Sequence, residues 1–291
     1  MLSELLEDKR KKTELKLDGI RNLPSIPKVI FEVSELLRKD NTTAIELAQC
    51  IGKDQGLTTK ILSISNSPLY GLQRQVSSLE FAIVVLGFKE ISQLVTSISI
   101  SGVLKQSSNE HFKFEELWNH SLLVGTGAKD ICRQLGYPEL GADAFVGGML
   151  HDMGIQLLIK YFSTEFKSIV NASLASENFL NQELEELGLT HQDMGAYLAK
   201  KWNLPDSLCS SIQFHHNPSK ASTDNILVSI VHLTDYMSQL LNVAPFFGDS
   251  GFELDESIID TLNFSSREEL NEFIENYKEQ FLDAEQYIES L

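Results

Sequence analysis

Histidine and aspartate side chains are concentrated in the second half of this chain, where together they can bind a metal ion. The 291-residue sequence contains seven histidines, six of them between residues 120 and 232. They are His111, His120, His151, His191, His215, His216 and His232. His151 and Asp152 are adjacent, after the apolar run 145–150 (FVGGML) and before Gly154. A carboxylate near the end of a buried helix is unfavourable unless it is paired or bound to metal.

The pair of His151 and Asp152 cannot complete a coordination shell alone. Successive helical residues point about 100° apart, so both side chains can approach one ion from a single edge of the backbone, and other helices must provide further ligands. Two candidates lie on otherwise apolar helix faces: His120, and Asp235 after the run 231–234 (VHLT). For a single histidine on an apolar helix, packing in the core is the more common role.

The other histidines and the cysteines show no such pattern. His111 fits no motif and is expected at the surface. His232 lies one helical turn before Asp235, so we expect it to orient that carboxylate or to pack. Three cysteines are scattered along the chain, at Cys50, Cys132 and Cys209. They form no CxxC pair, which argues against a disulfide framework or a cysteine zinc site and favours a reducing compartment.

Charge and composition exclude several classes of protein. The chain has 24 Lys and Arg against 41 Asp and Glu, a net charge of −17 and a pI near 4.8. A phosphate backbone would be repelled on average, so nucleic acid is not expected as a direct partner. With 42% hydrophobic residues the chain can bury a large core, which excludes a disordered chain. Because it has neither an apolar leader nor an apolar stretch of about 18 residues, we expect a cytoplasmic protein without membrane contact.

Helical periodicity dominates the sequence, with little competition from strands. Apolar residues in 29–37 and 94–104 recur at helical intervals, although the β-branched run 94–104 also resembles a strand. Three patterns, at 43–46, 77–80 and 265–268, fit the capping box that satisfies free N–H groups at a helix start. The sequence therefore predicts an all-α fold.

Chain length and polar interruptions divide the sequence into four predicted parts. The length favours about two compact units, and the polar run 105–110 (KQSSNE) separates two apolar-periodic halves. We predict a leader helix at 1–19, an N-terminal helical bundle at 20–107, a helical core with the metal site at 108–245 and an acidic helical appendage at 246–291. Apolar residues at helical intervals after residue 255 predict that the appendage docks on the rest.

The order His, His-Asp, Asp resembles the HD superfamily of metal-dependent phosphohydrolases. More of the chain resembles the HDOD domain, an HD-related output domain of bacterial signalling proteins. The similar segments are 23–27 (LPSIP), 54–57 (DQGL), 61–70 (ILSISNSPLY), 82–87 (AIVVLG), 191–199 (HQDMGAYLA), 202–205 (WNLP) and the pair 215–216 (HH). Together these segments are far more specific than the His-Asp pair alone.

The resemblance implies a metal set of His120, His151, Asp152 and Asp235. It also places His191, His215 and His216 where the related HD-GYP phosphodiesterases provide ligands for further ions. Imidazole and carboxylate together suit iron, manganese, nickel or zinc. If Asp152 bridges two ions, the site is binuclear, and metal-bound water can attack phosphorus while the second ion stabilises the leaving oxygen. In an active enzyme, His151 and Asp152 would then be the catalytic residues.

Two departures from the active HD-GYP pattern favour a non-catalytic role. Those enzymes carry a Lys directly after His-Asp-x-Gly, where this sequence has Ile155. Their Gly-Tyr-Pro signature is also absent downstream of the later histidines, since the string at 136–138 precedes His151. The resemblance therefore implies a regulatory module that binds protein partners of a signalling pathway. The alternatives are a phosphohydrolase acting on nucleotides or cyclic dinucleotides, and a structural scaffold with an empty site.

Overall fold

The chain folds into α-helices joined by short loops and 3-10 helices. A computed structural model describes residues 2–105, 108, 111–176, 178–251 and 253–290. No β-strand occurs within these ranges, so the predicted all-α class is confirmed. The run 94–104, which also resembled a strand, is helical. Most of the boundary segment predicted at 105–110 lies outside the described residues.

The first six helices form the N-terminal part of the molecule. They are α1 (Leu2–Asp18), α2 (Lys28–Leu37), α3 (Ala44–Ile51), α4 (Gln55–Ser65), α5 (Leu79–Leu86) and α6 (Phe88–Leu104). Helices α2 to α6 pack against one another as a bundle. Leu47, Ile61 and Leu94 are fully buried in it. The apolar periodicity of these segments therefore marks the faces that the bundle buries.

Eight helices form the core that carries the predicted metal ligands. They are α7 (Phe114–Gln134), α8 (Gly141–Leu150), α9 (Met153–Tyr161), α10 (Ser163–Ser176), α11 (Phe179–Leu187), α12 (His191–Lys201), α13 (Asp206–Phe214) and α14 (Asn225–Leu241). Helices α7, α8 and α14 pack together, and α12 packs on α9 and α13. The N-terminal bundle joins this core through α6 and α8, and α1 joins it through α11.

The last two helices, α15 (Ser257–Thr261) and α16 (Arg267–Glu289), form the C-terminal appendage. Helix α16 packs along α7 and buries Tyr277 and Phe281. Gly127 of α7 leaves room for this contact, since a Cβ there would lie 2.9 Å from Cε1 of Phe281. The Tyr277 hydroxyl donates to Asp130 at 2.7 Å. The predicted docking of the appendage is therefore confirmed.

The helix starts agree with one predicted capping box and differ from two by one residue. Thr43 caps α3 with the reciprocal hydrogen bonds of a capping box. Helix α5 is capped by Ser78 and α16 by Ser266, each accepting from a backbone N–H three residues later. The boxes predicted at 77–80 and 265–268 are therefore wrong by one residue. Each begins with two consecutive serines, and the second one caps the helix.

A sharp bend separates α5 from α6. The helices are bent by 119° across Gly87, whose φ of 89° glycine adopts without steric strain. Together the two helices reach the length and apolar content of a membrane span, but only as this bent pair. No single helix in the described part of the chain does so.

Two glycines let helices approach closely on either side of His151. A Cβ on Gly148 of α8 would lie 2.7 Å from Cα of Gly125 on α7. A Cβ on Gly154 of α9 would lie 1.9 Å from the carbonyl oxygen of His191, where α12 begins. Backbone therefore meets backbone on both sides of the His-Asp pair. These approaches set the distances between the helices that carry the predicted ligands.

Candidate metal centre

The structure brings the seven predicted ligands into one buried cluster. His120 lies on α7, His151 ends α8, Asp152 precedes α9, His191 begins α12, His215 and His216 follow α13, and Asp235 lies on α14. Each is at most 4% exposed. Six segments of the core therefore meet at one point, as a metal site inside a helical core requires.

One half of the cluster surrounds Nε2 of His120. This atom lies 3.2 Å from Nε2 of His151, 3.4 Å from Oδ1 of Asp235 and 3.3 Å from Oδ2 of Asp249. One donor atom from each of the four residues lies within 4.8 Å of the others. The separations of 3.2 to 3.4 Å from Nε2 of His120 are those expected of ligand atoms that each lie about 2.0–2.2 Å from one central ion.

The other half of the cluster surrounds three histidines. Nε2 of His191 lies 3.3 Å from Nε2 of His215, and Nε2 of His216 lies 3.3 Å from Oδ1 of Asp249. Donor atoms of these four residues also lie within 4.8 Å of one another. The cluster therefore offers a second ion position, made chiefly of imidazole nitrogen.

Asp152 connects the two halves. Its Oδ1 lies 3.2 Å from Nε2 of His191 and 3.7 Å from Nε2 of His215. Its Oδ2 lies 3.5 Å from Nε2 of His151 and 4.0 Å from Nε2 of His120. One oxygen faces each half, which is the geometry of a carboxylate that bridges two ions.

Two acidic residues of the centre are absent from the sequence prediction. Asp249 lies beyond the end of the predicted core, in the short 3-10 helix Phe247–Asp249, and it contacts both halves. Glu183 accepts hydrogen bonds from the backbone N–H of His191 at 3.1 Å and from its Nδ1 at 2.9 Å. Both carboxylates are buried. No motif marks either position, so the only signal would have been the burial of an acidic side chain, which a sequence does not display.

Hydrogen bonds on the outer side fix the orientation of four imidazoles. The acceptors are the carbonyl oxygens of Ala244, Gly148 and Ile212 for His120, His151 and His215, and the Glu183 carboxylate for His191, at 2.6 to 3.0 Å. Each acceptor holds a proton on Nδ1. Nε2 of each ring therefore faces the centre, as in histidines that ligate metal.

The residues present fit a bound metal on two further observations. Nε2 of His120 lies 3.2 Å from Nε2 of His151, and Nε2 of His191 lies 3.3 Å from Nε2 of His215, and two lone pairs this close repel one another unless a proton or a metal ion lies between them. Both oxygens of Asp152 and of Asp235, with Oδ1 of Asp249, are buried and accept no hydrogen bond from the described residues. Buried carboxylates without donors are costly. Bound divalent ions would remove the repulsion between the nitrogen lone pairs and would neutralise the charge of the buried carboxylates.

The pKa values of the metal-free centre show which proton an ion must displace. Burial opposes protonation of His120, but Asp235 and Asp249 outweigh it and raise the pKa of His120 to about 9. Burial lowers the pKa of His216 to about 3 and, together with Asp152, raises the pKa of Asp249 to about 6. At neutral pH, His120 therefore carries a proton that metal must displace, so affinity should fall as pH falls.

Glu183→Gln should weaken metal binding about 10-fold to 100-fold, because the charge that holds the His191 ring is lost while the ring itself remains. Competition with a chelator at constant pH measures this change. Glu186→Gln is the matched control, since Glu186 lies on the same helix and is exposed. Equal affinity in the Glu183 variant and wild type would show that Glu183 does not support the centre.

His232 hydrogen-bonds backbone groups on the outer side of the ligands. Its Nδ1 donates to the carbonyl oxygen of His215 at 2.6 Å, and its Nε2 accepts from the N–H of Asp255 at 2.9 Å. It therefore packs and positions the backbone of a ligand. His111 is partly exposed.

Acid should destabilise the protein through His232. Burial lowers the pKa of His232 from its ordinary value of 6.5 to about 4, so below pH 6.5 the unfolded chain takes up a proton that the folded chain refuses. The free energy of unfolding should therefore fall as pH drops from about 6.5 to about 4, by about 3 kcal/mol for this residue. Urea titrations of metal-free wild type and His232→Gln at several pH values test this, and the variant should lose less stability over that range. Parallel curves would contradict the assignment.

The fold and the cluster define a class of protein: an all-helical chain whose core gathers histidine and aspartate into one buried centre. Residues 23–218 match the model of the HDOD domain family, which is most of the chain. This chain belongs to the HDOD domain family. The predicted family is therefore confirmed.

Several solved structures share the fold. An HDOD domain protein with unknown function from Geobacter sulfurreducens aligns with a TM-score of 0.79 and 22% identity, over 97% of each chain. A proposed phosphohydrolase from Shewanella amazonensis SB2B aligns with a TM-score of 0.68 and 21% identity, over 95% of this chain and 97% of that one. A proposed signal transduction protein from Marinobacter aquaeolei VT8 aligns with a TM-score of 0.73 and 20% identity, over 98% of this chain and 66% of that one. At these identities the similarity is one of fold.

A curated relative extends beyond the matched region. An uncharacterized protein of Treponema pallidum (strain Nichols) is 25% identical over 279 residues, which are 92% of this chain and 51% of that protein. The chain therefore spans about half the length of the curated relative that it matches.

Proposed function

We propose that this HDOD protein binds a binuclear transition-metal centre and acts in signal transduction by binding a protein partner. The observation that supports this proposal most strongly is the convergence of eight buried imidazole and carboxylate side chains, in which the nitrogens face one another and five of the six carboxylate oxygens accept no hydrogen bond from the described residues. The atoms that would bind the metal are imidazole nitrogens and carboxylate oxygens, which favour iron, manganese, nickel or zinc. The solved Marinobacter structure, named for signal transduction, supports the class of function.

Three features favour binding over catalysis. In the described residues, the ion pairs of Asp152, Asp235 and Asp249 are with histidines, so no Lys or Arg is paired there to receive a phosphate. Ile155 is buried where active HD-GYP enzymes carry a Lys. The net charge of −17 also repels anionic substrates.

The second candidate is a metal-dependent phosphohydrolase acting on nucleotides or cyclic dinucleotides. It is supported by Asp152, whose two oxygens face separate ion positions, and by the name of the Shewanella structure. Two ions held by Asp152 and its neighbours would supply an activated water and would stabilise a leaving oxygen. In this case His151 and Asp152 would hold the reacting centre.

Elemental analysis tests the metal part of the proposal. Protein purified without a metal-affinity step, then reconstituted under anaerobic conditions, should contain about two transition-metal ions per chain. A protein that contains no metal after reconstitution with iron, manganese, nickel and zinc would contradict the proposal and leave the structural scaffold as the better reading.

Hydrolysis assays separate the two candidates. Metal-loaded wild type is incubated with a generic phosphodiester and with cyclic dinucleotides, and His151→Ala is the matched background. We expect equal, negligible turnover. Turnover by wild type well above the variant would favour the phosphohydrolase.

The partner is tested with the full chain. Removing the C-terminal region is unsuitable because α16 buries Tyr277 and Phe281 against the core. Capture from the native cytosol with metal-loaded and metal-depleted protein should retain a protein partner in a metal-dependent manner. If the metal-loaded and metal-depleted forms capture the same protein equally, partner binding does not depend on the metal centre. Nucleic acid and membranes are not expected as partners, and the cytoplasmic location stays a prediction.

A further inference from the structure

A short segment after α14 closes over the centre. We call residues 242–251 the strap. It contains the 3-10 helix Phe247–Asp249. Its far end is held at the start of α11, where the N–H of Phe179 donates to the carbonyl oxygen of Ser250 at 3.1 Å. The strap is therefore attached at α14 and at α11 and crosses the cluster between them.

The backbone of the strap is held in an unfavourable conformation. Asn242 and Ala244 have φ values of 53° and 43°, which alanine in particular avoids. Such residues persist where surrounding contacts compensate, often at functional sites. Ala244 is held by α14 and α16, because the Ser238 hydroxyl donates to its carbonyl oxygen at 3.2 Å and Glu285 accepts from its N–H. Gln239 of α14 holds the next part of the strap, because its Nε2 donates to the carbonyl oxygen of Phe246 at 2.8 Å and to Oδ2 of Asp249 at 3.2 Å.

Asp249 connects the strap to both ion positions. Its Oδ2 lies 3.3 Å from Nε2 of His120, and its Oδ1 lies 3.3 Å from Nε2 of His216. Among the described residues, it is present in each of the three groups whose donor atoms are close enough to hold a metal. Asp249 is 1% exposed. The carboxylate thus lies where an anion bound to both ions would lie.

Apolar groups complete the closure. The Phe246 ring stacks on the His120 ring with centroids 5.8 Å apart. A Cβ on Gly248 would lie 2.8 Å from Phe246 and 3.3 Å from Ile155, so glycine allows the strap to lie this close to the core. On the side of Asp152 away from the strap, a cavity lined by Ser121 and Gln156 measures about 10 Å³, room for about one water molecule. That cavity cannot hold a phosphate ester.

We propose that Asp249 is an internal anionic ligand of the metal centre, that it occupies the place of a phosphate group, and that the strap must open before external phosphate can reach the ions. This inference rests on the metal binding proposed above. It accounts for a third carboxylate in a cluster that already holds Asp152 and Asp235. With the strap closed, Asp249 completes the coordination of both ions, and with the strap open those positions accept an external oxyanion.

Titration of metal-loaded protein with inorganic phosphate tests this inference. Calorimetry measures the affinity, and the electron paramagnetic resonance spectrum of the manganese form reports ligation. Asp249→Ala should bind phosphate at least about 10-fold more tightly than wild type, a normal size for coupling between two ligands. Gln239→Leu keeps every proposed metal ligand but removes the hydrogen bonds to Phe246 and Asp249 that hold the strap, so it should bind phosphate several-fold more tightly at unchanged metal content.

The outcomes distinguish the two proposals. Wild type without bound metal contradicts the proposed function, whatever the variants do. Metal-loaded wild type that binds phosphate as tightly as Gln239→Leu overturns the strap inference alone. If Asp249→Ala loses an ion, Asp249 is a ligand, and Gln239→Leu then decides whether the strap excludes phosphate.

Hydrogen exchange gives a readout that is independent of phosphate. Metal loading should slow amide exchange in residues 242–251 of wild type, because Asp249 then attaches the strap to the ions. In Asp249→Asn, which keeps the side-chain shape, loading should leave exchange in the strap unchanged. Equal protection of the strap in both proteins would overturn the inference.

Discussion

Asp152→Ala should reduce the metal content of the reconstituted protein from about two ions per chain to nearly none. The reason is that Asp152 presents one oxygen to each half of the centre, at 3.2 Å from Nε2 of His191 and 3.5 Å from Nε2 of His151. Loss of a shared ligand weakens both positions at once, whereas loss of one histidine affects mainly one. Elemental analysis after reconstitution and desalting measures the change.

Thermal or denaturant unfolding provides the second measurement for this variant. Free metal at 100 to 1,000 times its dissociation constant should stabilise wild type by about 3 to 4 kcal/mol and Asp152→Ala by almost nothing. Asp206→Ala is the control, since Asp206 is exposed at the start of α13. If Asp152→Ala retains both ions with wild-type affinity, Asp152 does not bridge.

The part of the centre that a sequence pattern can predict is the part carried by regular helices. His120, His151, Asp152 and Asp235 follow the chain order of a known superfamily, and each lies on a helix or at its end. The later histidines were predicted in the same way. Their convergence follows from the packing of helices α7 to α14, which the family resemblance implies and helical periodicity alone does not.

The rest of the centre depends on tertiary structure. Asp249 reaches it through a loop with two non-glycine residues at positive φ, and no local pattern predicts such a path. In the sequence nothing distinguishes Glu183 from the other acidic residues of its amphipathic helix, and only the structure shows its contact with His191. In both cases the decisive quantity is burial of a charge, which depends on neighbours distant in sequence.

The fold shows the same division between local and tertiary information. Apolar periodicity predicts the helices, including the β-branched run in α6. It cannot decide which of two adjacent serines caps a helix, since both hydroxyls are available and tertiary packing selects the register. The predicted boundaries between the four parts of the chain stay a prediction, because the contacts between helices of neighbouring parts do not define a boundary.

Gly154→Ala should destabilise the protein by about 3 kcal/mol or more. A Cβ at this position would lie 1.9 Å from the carbonyl oxygen and 2.7 Å from the carbonyl carbon of His191. Both are backbone atoms, so no side-chain rotation can relieve the clash, and α9 must move away from α12. That movement separates Asp152 from His191, so the variant should also bind metal more weakly. Urea unfolding with and without chelator measures the two effects separately.

Gly102→Ala is the matched control for this clash. Gly102 also lies within a helix, α6, but nothing lies within 4 Å of the position that its Cβ would take. Its replacement should leave metal binding unchanged and stabilise the protein by up to about 1 kcal/mol, because alanine favours the helix over glycine. If Gly154→Ala behaved like this control, the close approach of α9 and α12 would not be what holds the two sides of the centre together.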